Sequence, residues 1–278
     1  MKIILISFLL LISSVSFADR LLIPMDETQT NHLKSYGITY WVISQGLEAE
    51  WLLNYRGGSF SLPYLKDFED ECIVRGVSYE LISEQHYATI VTEIASPSVN
   101  MDCVKLQEVP KIAVYSPKSK QPWDDAVTLV LTYAEIPYDV VFDDEILAND
   151  LTKYDWLHLH HEDFTGQYGK FWAHYRNQPW YILQQQEYEA SALKHGFSKV
   201  SELKLAVTHK IRDFTAAGGF LFAMCSATDS YDIALAAEGV DICETMFDGD
   251  PADPQAQQKL DYSKTCLLYT SPSPRDKR

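Results

Sequence analysis

The sequence predicts an α/β fold, a three-layer flavodoxin-like parallel sheet with helices on both faces, arranged as one continuous domain or as two related lobes. Three observations point there. Short β-rich apolar runs alternate with longer helical patterns through most of the chain. A turn, an apolar strand, a cysteine and a helical pattern follow one another from Gly218 to Gly239. Both halves open on an apolar strand that ends at a proline, Pro24 in one and Pro117 in the other.

The first half reads as follows. LLIPM from Leu21 is a strand, the stretch Asn31 to Gly46 a helix, and EAEWLLNY a strand. LKDFEDECIVRG is then a helix, VSYELIS a strand and EQHYATIVTEIA a helix. The proline-flanked stretch Pro97 to Pro110 reads as a link, which places a first lobe at 19–105 and a second domain at 106–265.

The second half carries the clearer series. Ile112 to Pro117 is a buried strand, Trp123 to Ile136 a helix with Asp124 and Asp125 in its first turn, and Tyr138 to Phe142 a strand. DDEILAND is a short helix or turn, and Tyr154 to His160 is a third strand. A long Trp-, Tyr- and Phe-rich stretch follows from His161 to Ala190, read as a helical lid over the strand ends or as extra core. SELKLAVTHKIRDFTAAGG is a helix closed by Gly218 and Gly219, and FLFAM is the fourth strand, leading into Cys225.

The two ends are set apart from the fold. Lys2, the apolar run Ile3 to Ile12 and the stretch Ser16-Phe17-Ala18, small at the two positions that signal peptidase inspects, read as a cleaved secretory signal over residues 1–18, with a mature start at Asp19. The run is shorter than the roughly 20 residues of a membrane span, and no cysteine follows the cleavage site to carry a lipid. A periplasmic or secreted protein without membrane insertion is expected. At the other end CLLYTSPSPRD resembles the translation of a transposon adapter used in preparing sequencing libraries, so the genuine chain is expected to break off near Thr265.

The formal charge is −16, spread along the chain without a basic cluster, and excluding the two ends makes the remainder more acidic still. That distribution argues against nucleic acid and against anionic membranes as partners. Of the cysteines before Thr265, Cys72 and Cys103 are a candidate disulfide, and no CxxC is present for a redox motif or a zinc ribbon. No cofactor is implied.

The residues that carry chemistry gather at two strand ends, where ligands bind in sheets of this kind. Cys225 sits where a nucleophile elbow places its reactive side chain, above the sheet at a helix N-terminus; the other reading is a small buried hydrophobe at a tight turn. The cluster His158-Leu159-His160-His161-Glu162-Asp163 has three readings. His158 and His160 project to one face as a possible metal pair; His160 or His161 serves Cys225 as general base, oriented by Glu162 or Asp163; or the polar groups simply fix the strand end. Arg56, in Asn54-Tyr55-Arg56-Gly57-Gly58-Ser59, is either an anion-binding group or a solvated side chain on a glycine turn. Asp229 and Asp232 read as acids complementing the dipole of the helix after Cys225.

On these elements Lys111 to Gly239 resembles the class I glutamine amidotransferase-like fold, about half of the mature chain. Members of that family favour G-x-C-x-G at the nucleophile; here the run is Ala223-Met224-Cys225-Ser226-Ala227, with alanine in both glycine places. The resemblance implies a Cys-His-Glu triad with His and Glu on a strand after the cysteine, yet no histidine lies between Cys225 and Thr265. The base would then be His160 or His161, with Glu162 as orienter. In this reading Cys225 attacks an acyl carbon as a thiolate, and backbone N–H groups at Ser226 and near Gly166 hold the oxyanion.

The stretches LLNYRGGSF, PWDDAVTLVLTYAEIPYD, YDWLHLHHEDFTGQYG and FDGDPADP are also similar to a group of secreted bacterial proteins labelled asparagine synthetase B. The residues do not support that activity. Position 2 is Lys2 where an N-terminal cysteine would stand, and SATDS from Ser226 to Ser230 lacks the glycines of a phosphate loop. The expected function is a cysteine hydrolase acting on a small amide or ester. The alternatives are a non-catalytic protein binding a saccharide or other small molecule through Trp172, Trp180 and Tyr181, and a metal-dependent role.

Overall fold

A computed structural model describes residues 20–117, 126–168 and 171–266. The segment expected to be a secretory signal, the first turn expected at Asp124 and Asp125, and residues 267–278 lie outside them. The chain divides into two compact units between Val109 and Pro110, with Tyr133–Ile136 grouped with the first. Among the described residues no helix is long and apolar enough to cross a membrane.

The first unit contains β1 (Arg20–Ile23), α1 (His32–Ser44), β2 (Ala49–Leu53), β3 (Ser59–Pro63), α2 (Lys66–Arg75), β4 (Glu80–Ile82), α3 (Glu84–Ile94) and β5 (Asp102–Leu106). Its sheet runs β4-β1-β3-β2-β5, and every pair in it is antiparallel. This corrects the expectation of two related parallel lobes. The expected helices and three of the strands are present, but β3 and β5 are additional. The turn between β2 and β3 is a hairpin bend, with Asn54, Arg56, Gly57 and Gly58 all at positive φ, which folds SFSLP back onto β2. β5 lies at the sheet edge with a largely exposed face, so it lacks the apolar run that marks a buried strand.

Alternation along β1 sends Leu21 and Ile23 to one face and Leu22 to the other. The first face packs on α1 and α2 through Ile38, Val42, Phe68 and Cys72; the second packs on α3 through Tyr87, Ile90 and Ile94. Cys103 joins the second cluster while Cys72 lies in the first, and both are free thiols. The sheet separates them, so the candidate disulfide does not form.

The second unit is an α/β structure on a parallel sheet: β6 (Ile112–Tyr115), α4 (Ala126–Ala134, up to Thr132 in this unit), β7 (Asp139–Val141), α5 (Asp143–Leu147), β8 (Trp156–Leu159), α6 (Trp172–Tyr175), α7 (Pro179–Lys194), α8 (Val200–Ala216), β9 (Phe220–Ala223) and α9 (Ser226–Ala236). Short helices α10 (Thr245–Asp248) and α11 (Ala256–Lys259) follow. The strands lie in the order β7-β6-β8-β9 and all pair in parallel. Counted in order of appearance this is 2-1-3-4, the arrangement of flavodoxin-like sheets.

One face of the sheet buries Ala113, Tyr115, Leu157 and Leu159 against Ile146 of α5, Val207 and Ile211 of α8, and Tyr231 and Leu235 of α9. On the other face Ile112 and Val114 are buried, but Phe220 and Phe222 of β9 remain 58% and 45% exposed. Helical cover on both faces is therefore incomplete at the β9 edge among the described residues.

Candidate active site at the ends of β8 and β9

The elbow is built by the end of the β8–β9 ladder. Met224 donates its N–H to the Leu159 carbonyl (3.1 Å), and α9 starts two residues later at Ser226. The chain must turn from extended to helical within one residue, and Cys225 takes the turn with φ 56° and ψ −142°. A residue with a Cβ held in such a region costs on the order of 1–3 kcal/mol and persists only where its surroundings impose it. Alanine in both expected glycine positions does not prevent the turn. Ala227 is fully buried in the core of this unit, where a larger side chain would have no room.

Cys225 is exposed, whereas Cys72 and Cys243 are buried. Burial pushes the thiols of Cys72 and Cys243 up to about 12, and it raises that of Cys103 as well. Cys243 is further committed by donating its S–H to the Thr165 carbonyl (3.1 Å).

The second part of the site is the turn after β8. His158 is buried and stacked on Phe222, with ring centroids 5.3 Å apart. His160 and His161 are half-buried; their rings meet edge to face at 4.5 Å, with Nδ1 atoms 3.0 Å apart. A hydrogen bond between two Nδ1 atoms requires one to carry the proton and the other to accept it. The Ala227 N–H donates to the His160 carbonyl (3.2 Å), which sets this turn beside the elbow.

Glu162 is buried, and its carboxylate accepts the His160 N–H (3.3 Å), bracing the backbone of the first histidine. Asp163 shapes the following loop by accepting from the Thr165 N–H (2.9 Å), the Thr165 hydroxyl (2.7 Å) and the Gln167 N–H (2.7 Å). Gly166 sits at φ 82°, and a Cβ there would lie 2.7 Å from the Ser201 nitrogen in α8. Its glycine identity follows from that close approach. Gln167 completes the anchoring by donating to the Ile242 carbonyl (3.1 Å). Ser226 is the first residue of α9, so its N–H belongs to the group of helix-start donors without intrahelical partners.

The remaining sequence candidates lie elsewhere. Arg56 is partly exposed and fully paired: its guanidinium donates to Asp26 (2.7 Å), Glu80 (2.7 Å) and the Thr28 hydroxyl (3.2 Å), so all three nitrogens are engaged. Tyr181 is wholly buried and cannot stack on a ligand. Trp180 meets Phe171 and Tyr181 edge-on, and Trp172 packs in the same cluster with Tyr168 and Leu203. The aromatic stretch is thus largely a core of its own built by α6 and α7. Asp229 is exposed in the first turn of α9, but Asp232 is fully buried and accepts the Cys266 N–H (2.8 Å).

Among the described residues, the grouping of metal-ligand side chains is Asp241, Cys243 and Asp248, away from His158 and His160. The Lys199 ammonium pairs with both of its aspartates, at 2.9 and 3.0 Å, and with Asp250 at 2.7 Å. That ammonium occupies the place of a cation.

A network absent from the sequence reading lies at the ends of β6 and β7. Lys204 and Asp143 are each 1% exposed and form a bidentate ion pair at 2.8 and 2.9 Å. The Tyr115 hydroxyl donates to Asp143 (2.5 Å) and accepts from Lys204 (2.9 Å), and the ammonium lies 4.3 Å from the Phe142 ring centroid and 4.7 Å from that of Tyr188. These residues are far apart in sequence and follow no motif. The one available signal was a lysine on the apolar stripe of α8, between Leu203 and Val207.

No family model, curated protein or solved structure matches this chain.

Proposed function

We propose that the protein is a cysteine hydrolase acting on a small amide or ester, with Cys225 as nucleophile and the His160–His161 pair as proton acceptor. The observation that carries this reading is the backbone of Cys225: an exposed thiol held at φ 56°, ψ −142° on a strand-to-helix turn. Such strain gathers at sites where a side chain must be presented.

In this reading the thiol proton passes to an imidazole nitrogen and the sulfur attacks the acyl carbon. The charge that develops on the carbonyl oxygen is met by the Ser226 N–H at the positive end of α9. Collapse expels the amine or alcohol, which takes the proton back, and water then releases the acid from the thioester.

The test is acylation by p-nitrophenyl acetate followed by peptide mass spectrometry. One acetyl group on the Cys225 peptide is expected before steady turnover, and none in Cys225→Ala. Acetyl distributed over other residues, or nitrophenol release unchanged in Cys225→Ala, would overturn the reading. The amidotransferase-like resemblance and a location outside the inner membrane belong to the same proposal; recovery of the processed full-length protein only from the cytoplasmic fraction of its source would remove the second.

A further inference from the structure

Four successive carbonyls at the end of β8 are all taken by donors from the elbow and α9. The Leu159 carbonyl accepts from the Met224 N–H (3.1 Å) and the His160 carbonyl from the Ala227 N–H (3.2 Å). The His161 carbonyl then accepts from the Ser226 hydroxyl (3.0 Å) and the Glu162 carbonyl from the Ser230 hydroxyl (3.0 Å). A parallel ladder engages alternate residues of a strand with any one neighbour. Here the residues from the last of β8 into its turn are held consecutively, the first two by backbone N–H groups and the next two by serine hydroxyls. Ser230 is itself buried, so its hydroxyl is committed to this contact.

We propose that Ser226 and Ser230 are positioning residues that fasten the His160–His161 turn to the helix that follows Cys225, so that thiol and imidazoles keep one mutual geometry. The inference rests on the hydrolase reading of Cys225. Neither serine hydroxyl touches the substrate; each acts through the backbone of the histidine turn.

The experiment is the pH profile of iodoacetamide alkylation at Cys225 in the full chain, read by mass spectrometry. Ser226→Ala, Ser230→Ala, Ser226→Thr, His160→Ala and His161→Ala are compared with the wild type, with far-UV circular dichroism to confirm folding. Loss of either serine hydroxyl is expected to slow alkylation near neutral pH on the order of tenfold or more and to alter the profile as the histidine substitutions do. Ser226→Thr, which keeps the hydroxyl, restores the wild-type profile.

Ser226 is half-buried at a helix start that accepts alanine, so this position decides the matter even if Ser230→Ala does not fold. A wild-type profile in Ser226→Ala, with the histidine variants altered, overturns the positioning role and leaves the hydrolase reading standing. Failure of Ser226→Thr to rescue overturns it likewise. If the histidine variants also keep the wild-type profile, the hydrolase reading fails and the inference with it.

Discussion

The two halves of the rim at the C-terminal ends of the parallel sheet are built in opposite ways. At β6 and β7 the charged groups are sealed off from solvent: Lys204, Asp143 and Tyr115 satisfy one another in the interior, beside the rings of Phe142 and Tyr188. At β8 and β9 the rim is open, with an exposed thiol on a strained turn and two half-buried imidazoles against each other. The first half buries charge and leaves no group in reserve. The second holds a side chain outward against its backbone preference. The contrast teaches where the proposed chemistry is to be tested in this sheet: at the exposed thiol on its strained turn rather than at the fully buried, mutually satisfied ion pair.

The largest effect is expected from breaking the sealed half. Asp143→Ala leaves the Lys204 ammonium buried without its counter-ion and should cost about 3–5 kcal/mol in urea unfolding. The pair Asp143→Leu with Lys204→Met should cost distinctly less, since neither charge then remains. A double variant as unstable as the single one would show that the network contributes more than charge compensation.

Next comes the loop that lines the open half. Gly166→Ala must displace the Ser201 backbone and also holds alanine at φ 82°. It should lose about 2–3 kcal/mol, while Gly239→Ala, at φ 79° with open space around it, should lose only about 1 kcal/mol. Equal losses at the two positions would remove the packing role given to Gly166.

A smaller effect of opposite sign is expected at the elbow. Cys225→Gly relieves the positive φ and should stabilise the protein by about 1 kcal/mol while abolishing acylation. Destabilisation would mean that the turn carries no strain to release, and the comparison between the two halves would lose its basis.

The smallest is an exposed counterpart to the buried pair. Asp26, beside the Arg56 guanidinium and the Thr28 hydroxyl, has its carboxyl lowered from 3.8 to about 2. A depressed folded-state value contributes stability above the unfolded value, which is lost as pH falls from about 4 through 2. Arg56→Ala should therefore lower stability at neutral pH slightly and flatten the acid limb of a thermal-melt series over that window, with solvent screening keeping the change modest. An unchanged acid limb would assign the loss elsewhere.

Much of the second unit was legible in the sequence. IAVYSP, YDVVF and FLFAM each carry a short apolar run, YDWLHLH sets apolar residues among histidines, and each contains one of the four strands. The cysteine between FLFAM and a helical pattern located the elbow. The first unit was harder, because strand direction does not show in a periodicity. β3 was passed over because the positive-φ bend at Asn54 and Arg56 reads as a loop when the strand after it has not been identified. The histidine cluster was visible, but which histidine is buried and which two pair at Nδ1 depends on Phe222 and on α9, elements some sixty residues further along the chain.

By itself the sequence determined the α/β class, the order of elements in the second unit and the position of the cysteine turn. All three follow from local patterns of apolarity, turn residues and helix signals. Only the tertiary structure decided that the first sheet is antiparallel, that Arg56 and Tyr181 are structural, and that Lys204 and Asp143 meet in the interior. It alone decided, too, that Met224 and α9 together take four successive carbonyls of β8 and its turn. Those outcomes depend on which distant segments come together, and burial, ion pairing and backbone strain have no value until they do.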